Sequence, residues 1–456
     1  MQHLSRLTLL GLVALGLLVV ALVAALVLRW TGAAARADEL ARLATQRRPA
    51  LPADLPEPTD PRPEATGWFA ELVAARIRWT PEELAAPESY ARLRARARAT
   101  ELAAEAEEAF AALEGCAGTG ASEALQRVVE VLAARDGIAG EPPCGAEAAR
   151  LLALGTRARL DVARRAREYG AVSPRVVNGA LERDGAVLPQ LPILQALELA
   201  DAVSLELARA IWSEQPALVP ELLLAALDVA RVLGSAPFLV AALGASEVES
   251  RLLAALEFAL SAVPEDLDLS KIEDELAALR PRERLVRAME GERALGNRAF
   301  ELLRQGARPT WVDGGSWLPI ALIAAHDQAA FLRAWREQIG RAGCAAYQRE
   351  PPARPGWSDR QLAPITALLV RTDFAGAVDA LEARLALARA ALVARRGGAQ
   401  ALLEHVARSA DPYDGRPLRV GFADSGVVVL WSVGADGRDD GGLDEARDVV
   451  WRFKPR

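Results

Sequence analysis

Apolar and polar positions divide the chain into four regimes. Leu7 to Leu28 is a run of 22 residues without a charged side chain, about 33 Å long as a helix and enough to span a bilayer. Arg6 precedes it, and Arg29 and Trp30 follow it as interfacial anchors. Next come Pro49, Pro52, Pro56, Pro58, Pro61 and Pro63, which predict an extended, poorly packed stand-off spacer. From Trp68 to about Ser409 apolar residues recur with helical spacing, and after Asp411 the period falls to two. The division is therefore anchor 1–30 (span 7–28), juxtamembrane and Pro-rich linker 31–67, helical domain 68–372 and C-terminal region 373–456.

Within the body, one helix is predicted from near Pro81 to Leu113, and a second from Ala146 to Tyr169. Arg92, Arg94, Arg96 and Arg98 recur every second residue and so scatter around the first helix. With Glu101, Glu105, Glu107 and Glu108 following, they predict a solvated helix and no basic face for nucleic acid. Leu197 to Trp212 and Leu222 to Leu233 are almost apolar all round and belong in the interior. Pro281 opens a helix carrying Leu285, Met289, Leu295, Phe300 and Leu303. No fixed repeat period emerges, which predicts an irregular α-solenoid or a bundle. Ala375 to Arg396 puts Val378, Leu381, Leu385 and Leu392 on one face, the face expected to meet the C-terminal sheet.

That sheet is predicted from three short runs. Pro417 to Phe422 and Val427 to Val433 flank the turn residues Ala423-Asp424-Ser425-Gly426, a hairpin pattern, and Val449 to Phe453 supplies a third strand. The expected fold is mainly α: a transmembrane helix, a helical ectodomain and a small three-stranded antiparallel unit.

Charge and cysteine usage narrow the picture. A net charge of −7 argues against a general nucleic-acid binder. Cys116 and Cys144 lie in Gly/Pro-bearing loops (EGCAGTG and GEPPCGA) that flank the helix Ser122 to Ala134. Either they are bridged, closing a loop worth about 3.6 kcal/mol on a chain-entropy estimate, or they are two unpaired thiols. Cys344 is left over as a small buried apolar residue.

Gly434 to Asp448 holds six acids (Asp436, Asp439, Asp440, Asp444, Glu445 and Asp448) against two bases (Arg438 and Arg447), a net −4. This is either a solvated acidic loop or an oxygen cage for a hard cation such as Ca²⁺. An EF-hand does not fit, because counting from Asp436 puts arginines at the third and twelfth loop positions.

The tail "DPYDGRPL … VVVLWSVGADGRDDGGLDEARDVV" resembles the C-terminal β region of the major pseudopilins of type II secretion. Asp411, Pro412, Pro417, Ser432, Gly434, Asp436, Gly437, Asp444 and Asp448 carry the resemblance, which covers roughly a tenth of the chain. It implies a calcium-holding loop, with Asp436 and Asp448 as the positions carried over most directly and Asp439, Asp440 and Asp444 around them. The N-terminus MQHLSRLTLLGLVALGLL departs from the pseudopilin pattern: it has neither the processing junction nor the glutamate at the fifth mature position. Cleavage and polymerisation as a pilin are therefore not implied. The whole layout resembles bacterial membrane-anchored proteins with a helical ectodomain and this same tail, a likeness that implies no reaction.

Chemistry-bearing motifs are sparse elsewhere. His3, His326 and His405 are far apart and lack metal-ligand spacing. Asp313-Gly314-Gly315-Ser316-Trp317 falls short of a nucleophile elbow, since Leu318 stands where the second glycine belongs. There is no phosphate loop, dinucleotide fingerprint or zinc set. Leu7 to Leu28 reads as an uncleaved anchor or as a signal peptide cleaved near Ala35-Arg36-Ala37; the run is too long for a usual signal-peptide core, so the expectation is a single-pass protein of the inner (cytoplasmic) membrane. Orientation has arguments on both sides. Arg29, Arg36, Arg42, Arg47 and Arg48 after the span outnumber Arg6 before it, which the positive-inside rule would keep cytoplasmic. The secretory likeness of the tail and the loop-cysteine pair favour an extracytoplasmic body, the reading adopted here. A structural or protein-interaction role follows, with an envelope protein as partner. An enzyme with a cleft in the helical body and an accessory of a type II secretion-like assembly are the alternatives.

Overall fold

The computed structural model describes residues 2–57, 62–63, 65–75, 90–117, 120–134, 142–173, 191–264, 266–305, 318–351, 374–423, 426–442 and 447–454. The side chains of 1–22, 90–91, 93, 131–134 and 318–323 fall outside that description. Thirteen α-helices lie among the described residues: α1 Gln2–Thr45, α2 Thr66–Ala74, α3 Tyr90–Arg98, α4 Ala103–Cys116, α5 Ala121–Ala134, α6 Gly145–Arg165 and α7 Ile193–Trp212 come first. They are followed by α8 Val219–Gly234, α9 Leu239–Ala262, α10 Ser270–Ala278, α11 Pro281–Arg304, α12 Leu318–Ala342 and α13 Ala375–Arg408. The chain ends in an antiparallel sheet, β1 Arg419–Phe422, β2 Val428–Ser432 and β3 Val449–Phe453, in that spatial order. The protein is thus mainly helical with a small C-terminal sheet. Among the described residues no helix is long and apolar enough to cross a membrane. The predicted span Leu7 to Leu28 belongs to α1, and most of its side chains lie outside the described residues.

Burial follows the patterning. The near-apolar helices α7 and α8 sit in the middle, and their Leu207, Val219, Leu223 and Leu227 join Leu253, Leu256 and Leu260 of α9 in one cluster. The same cluster takes in Leu385, Leu392 and Leu402 of α13 and Leu430, Trp451 and Phe453 of the sheet. Register explains why one sheet face can do this: Leu430 pairs with Trp451 and Val428 with Phe453. These four, spaced by two along their strands, share the face laid on α13. The helix expected to end at Arg396 continues to Arg408 through a kink at Gly398, and its last two turns return Leu402 and Val406 to the core. The core therefore runs unbroken across position 373, between helical body and tail.

Three expectations are corrected. The helix predicted from Pro81 to Leu113 is two helices, α3 and α4, and its start lies outside the described residues. Thr100 breaks it: the hydroxyl donates to the Ala97 carbonyl at 2.7 Å and accepts from the Leu102 amide at 3.2 Å, bonds that compete with the helical ladder. The chain doubles back, so Arg94 and Arg98 both meet Glu107, at 2.9 and 2.6 Å, while Arg92, Arg96 and Arg98 stay exposed. Second, the proline stretch does not stand off from the body where it is described. Arg293 donates to the Pro49 carbonyl at 3.0 Å and Asn297 to that of Ala50 at 2.8 Å. Pro52 and Leu55 are buried, and the Gly170 amide donates to the Pro63 carbonyl at 2.8 Å. Third, Cys344 is half-buried rather than part of the core, its chain held where Arg282 and Arg349 donate to its carbonyl.

The second half of α1 is built into the body. Gly32, Glu39 and Leu43 are buried at helical spacing against α12. A Cβ at Gly32 would come within 2.8 Å of the His326 amide nitrogen, so the close approach of the two helices requires glycine. Arg336 of α12 meets Glu39 at 3.2 Å, and Arg48 meets Glu290 of α11 at 2.6 Å.

Cys116, the last residue of α4, and Cys144, which precedes α6, are joined as a disulfide with Cα atoms 5.8 Å apart.

Candidate functional site

The site with the most concentrated polar chemistry is the mouth of the sheet, where the acidic loop folds back over β2. Asp411 is its centre and is fully buried. Its Oδ1 accepts from the Tyr413 amide at 2.9 Å and the Ser432 hydroxyl at 2.8 Å. Its Oδ2 accepts from the Val433 amide at 3.0 Å and from the Arg419 guanidinium. The same guanidinium reaches Asp414 and lies 3.6 Å from Asp439. The lead-in Asp411-Pro412 is thereby pinned to the end of β2, 21 residues later. This gives a physical reason for two elements of the tail pattern to occur together. Gly434, with φ +65°, follows the pinned segment; a Cβ there would meet the Arg447 carbonyl at 1.7 Å. Only glycine allows the loop's two ends to touch.

The carboxylates proposed for a metal fare differently. Asp436 is exposed, and its Oδ1 accepts from the Arg438 amide at 3.0 Å, a local turn bond. Asp439 is committed: Oδ1 takes the Trp431 indole N–H at 2.9 Å and the Gly441 amide at 3.0 Å. The Trp431 bond, with help from Gly441 and Arg419, holds its carboxyl below the usual range. Asp444 lies outside the described residues. Asp448 is buried, and its Oδ2 accepts from the Gly442 amide at 2.9 Å. Its Oδ1 and the Oδ2 of Asp440 are buried oxygens without a hydrogen-bond partner, the latter 3.7 Å from the Arg447 guanidinium. Burial, followed by the nearby charges of Asp440 and Asp439, pushes the Asp448 carboxyl above its ordinary range. Among the loop's described acids, Asp440 and Asp448 are thus the two with a buried oxygen that has no hydrogen bond. Among the described residues no three metal-ligating side chains are grouped, so a cation here would draw further oxygens from elsewhere in the loop.

Sequence reasoning missed Asp411 and Arg419 as structural hubs. Asp411 looks like one more acid beside a proline, and its partners lie up to 22 residues away. The segment around it is docked on the body as well. The Ala346 amide donates to the Pro412 carbonyl at 3.1 Å. Tyr413 is pushed up to about 12 by burial and by the charges of Asp379 and Asp411.

Two other places gather polar side chains in buried surroundings. A cavity of about 270 Å³ is bounded by α4, α6 and α7 and lined by Glu105, Arg150, Arg157, Arg164, Glu206 and Arg209 over Leu154 and Leu160. Its two carboxylates are both held by arginines, Glu105 by Arg157 at 2.6 Å and Glu206 by Arg209 at 2.7 Å. His326 keeps both ring nitrogens buried without a hydrogen-bond partner beside α1. The segment 313–317, with its partial elbow pattern, lies outside the described residues.

Comparison with protein families, characterised proteins and solved structures finds no match for this chain.

Proposed function

We propose that the chain is a single-pass protein of the inner (cytoplasmic) membrane, anchored through Leu7 to Leu28 with its body on the extracytoplasmic side. Its role is structural or interaction-based, with an envelope protein as partner. The observation that carries this reading is the construction of α1. One helix carries 22 successive uncharged residues, Leu7 to Leu28, and then supplies core positions Gly32, Glu39 and Leu43 to the body. An anchor fused in this way holds the body close to the bilayer without a stalk. The arginine-held carboxylates of the α4–α6–α7 cavity give the enzyme alternative little to work with. An alkaline phosphatase fusion at Arg456 is expected to be active and a cytoplasmic reporter there silent. Mass spectrometry of unreduced peptides should recover Cys116 linked to Cys144. Silent phosphatase together with free thiols would sink the orientation.

Within that reading the tail is a calcium-stiffened module resembling the pseudopilin β region. The buried carboxylate oxygens of Asp440 and Asp448 that lack a hydrogen bond support it, since Ca²⁺ is held by carboxylate oxygens. A cation bound only by the folded form stabilises it by about 2.7 kcal/mol at a hundredfold excess over the dissociation constant. Ca²⁺ should therefore raise the Tm of the full chain in detergent, and Mg²⁺ should do so less. Asp448→Asn discriminates, because it removes a buried charge. Without calcium the variant should melt at or above the wild type; with calcium it should melt below. Parallel melting curves in both conditions, or no calcium heat by calorimetry, would leave the loop as solvated charge.

A further inference from the structure

We infer that α12 is a second membrane-contacting element: its first two turns enter the bilayer interface alongside the end of the α1 span. The inference rests on the anchor reading above and adds a lipid-facing surface that the anchor alone does not require.

The two helices run parallel. Gly32 lies against the His326 backbone, and further along both helices Glu39 meets Arg336 and Leu43 packs among Trp335 and Ile339. Following α12 back from His326 therefore leads toward the N-terminal end of α1. At 1.5 Å per residue, Ile320 stands about 9 Å beyond His326, level with Leu26 inside the predicted span. Exposure along α1 agrees. Ala25 and Leu28, on the same face as Gly32 and Glu39, are half-buried, while Val23, Leu26, Val27 and Trp30 are 53%, 57%, 53% and 74% exposed. The cover over α1 thus extends past Gly32 to Ala25, while Val23, Leu26 and Val27 beside it are exposed.

The polarity of the two helices changes within one helical turn of the same level, about 4.5 Å apart. From Leu318 to Ala325 α12 reads LPIALIAA, with no polar side chain, and His326-Asp327-Gln328 then begin the polar part. On α1 the last uncharged residue of the run is Leu28, followed by Arg29, Trp30 and Thr31. Boundaries within a turn of each other on parallel, contacting helices fit a water–lipid interface, whose headgroup region is several ångströms deep. A protein partner would not require the two boundaries to align. In water, Val23, Leu26 and Val27 would instead stand as exposed large apolar side chains at the end of a 22-residue uncharged run, a surface that soluble proteins avoid.

The test uses the full chain in phosphatidylcholine vesicles, with Cys344→Ser removing the free thiol and the Cys116–Cys144 pair left intact. Single cysteines at Leu322, Ile320, Leu26 and Val240 each carry an environment-sensitive nitrobenzoxadiazole label. Spin-labelled lipid should remove most of the fluorescence at Leu322, Ile320 and Leu26, with blue-shifted emission, and should leave Val240 on the body unquenched. Quenching at Leu26 without quenching at Leu322 and Ile320 overturns the inference and keeps the anchor. No quenching at any position overturns both. Equal quenching at Val240 also overturns it, because contact with lipid would then not be localised to the α12 end.

Discussion

Asp411→Ala is expected to destabilise the protein by about 3–5 kcal/mol, the range for removing one partner of a buried charge pair. The carboxylate is fully buried and satisfies the Tyr413 amide, the Ser432 hydroxyl, the Val433 amide and the Arg419 guanidinium. Alanine removes both acceptor oxygens, and with them all four bonds, and leaves two backbone N–H groups unpaired by it in a closed space. Asp411→Asn is the informative companion. It keeps the shape and one acceptor oxygen but presents an NH₂ to donors, so it should recover only part of the loss. Asp414→Ala removes only the more exposed partner of Arg419 and should cost about 1 kcal/mol or less. Chemical denaturation of the full chain in detergent reads all three. Equal, small losses for Asp411→Ala and Asp414→Ala would mean that the tail is not locked through Asp411.

The Asp411 lock also shows where sequence reading reached its limit. The strands were legible because burial on one face imposes a period of two, and Val449–Phe453 forms β3 at the bounds its pattern predicts. Val378, Leu381 and Leu385 marked the face of α13 that joins the core for the same reason, at the helical period. Side-chain commitments have no period. Six acids between Asp436 and Asp448 look equivalent in sequence, yet Asp439 is tied to Trp431, Asp436 accepts from its own turn, and Asp440 and Asp448 each bury an oxygen that has no hydrogen bond.

The proline stretch failed in another way. Proline fixes φ and removes donors, so it predicts stiffness correctly and says nothing about what the stiff segment lies on. The donors that capture Pro49 and Ala50 are Arg293 and Asn297, 244 and 247 positions away. The α3–α4 break turned on a single hydroxyl, Thr100, within a stretch whose composition favours helix throughout.

The second large effect is expected deep in the body, at the pair between α9 and α11. Glu249 is completely buried and Arg284 nearly so. Their contact is bidentate, Nη1 to Oε1 at 2.6 Å and Nη2 to Oε2 at 2.5 Å, with the Ser246 hydroxyl 3.1 Å from Nη2. Desolvating both ions cancels most of their mutual attraction, so the pair itself contributes little net stability; breaking it is what costs. Glu249→Ala strands a guanidinium whose Nε already lacks a hydrogen-bond partner, and about 3–5 kcal/mol should be lost. The double variant Glu249→Leu with Arg284→Met removes both charges and refills the space with apolar volume. It should return to within about 1.5 kcal/mol of the wild type or exceed it. Urea midpoints of the two variants at one protein concentration separate the possibilities. If the double variant is as unstable as Glu249→Ala, the pair stabilises the fold in its own right and this account of the interior is wrong.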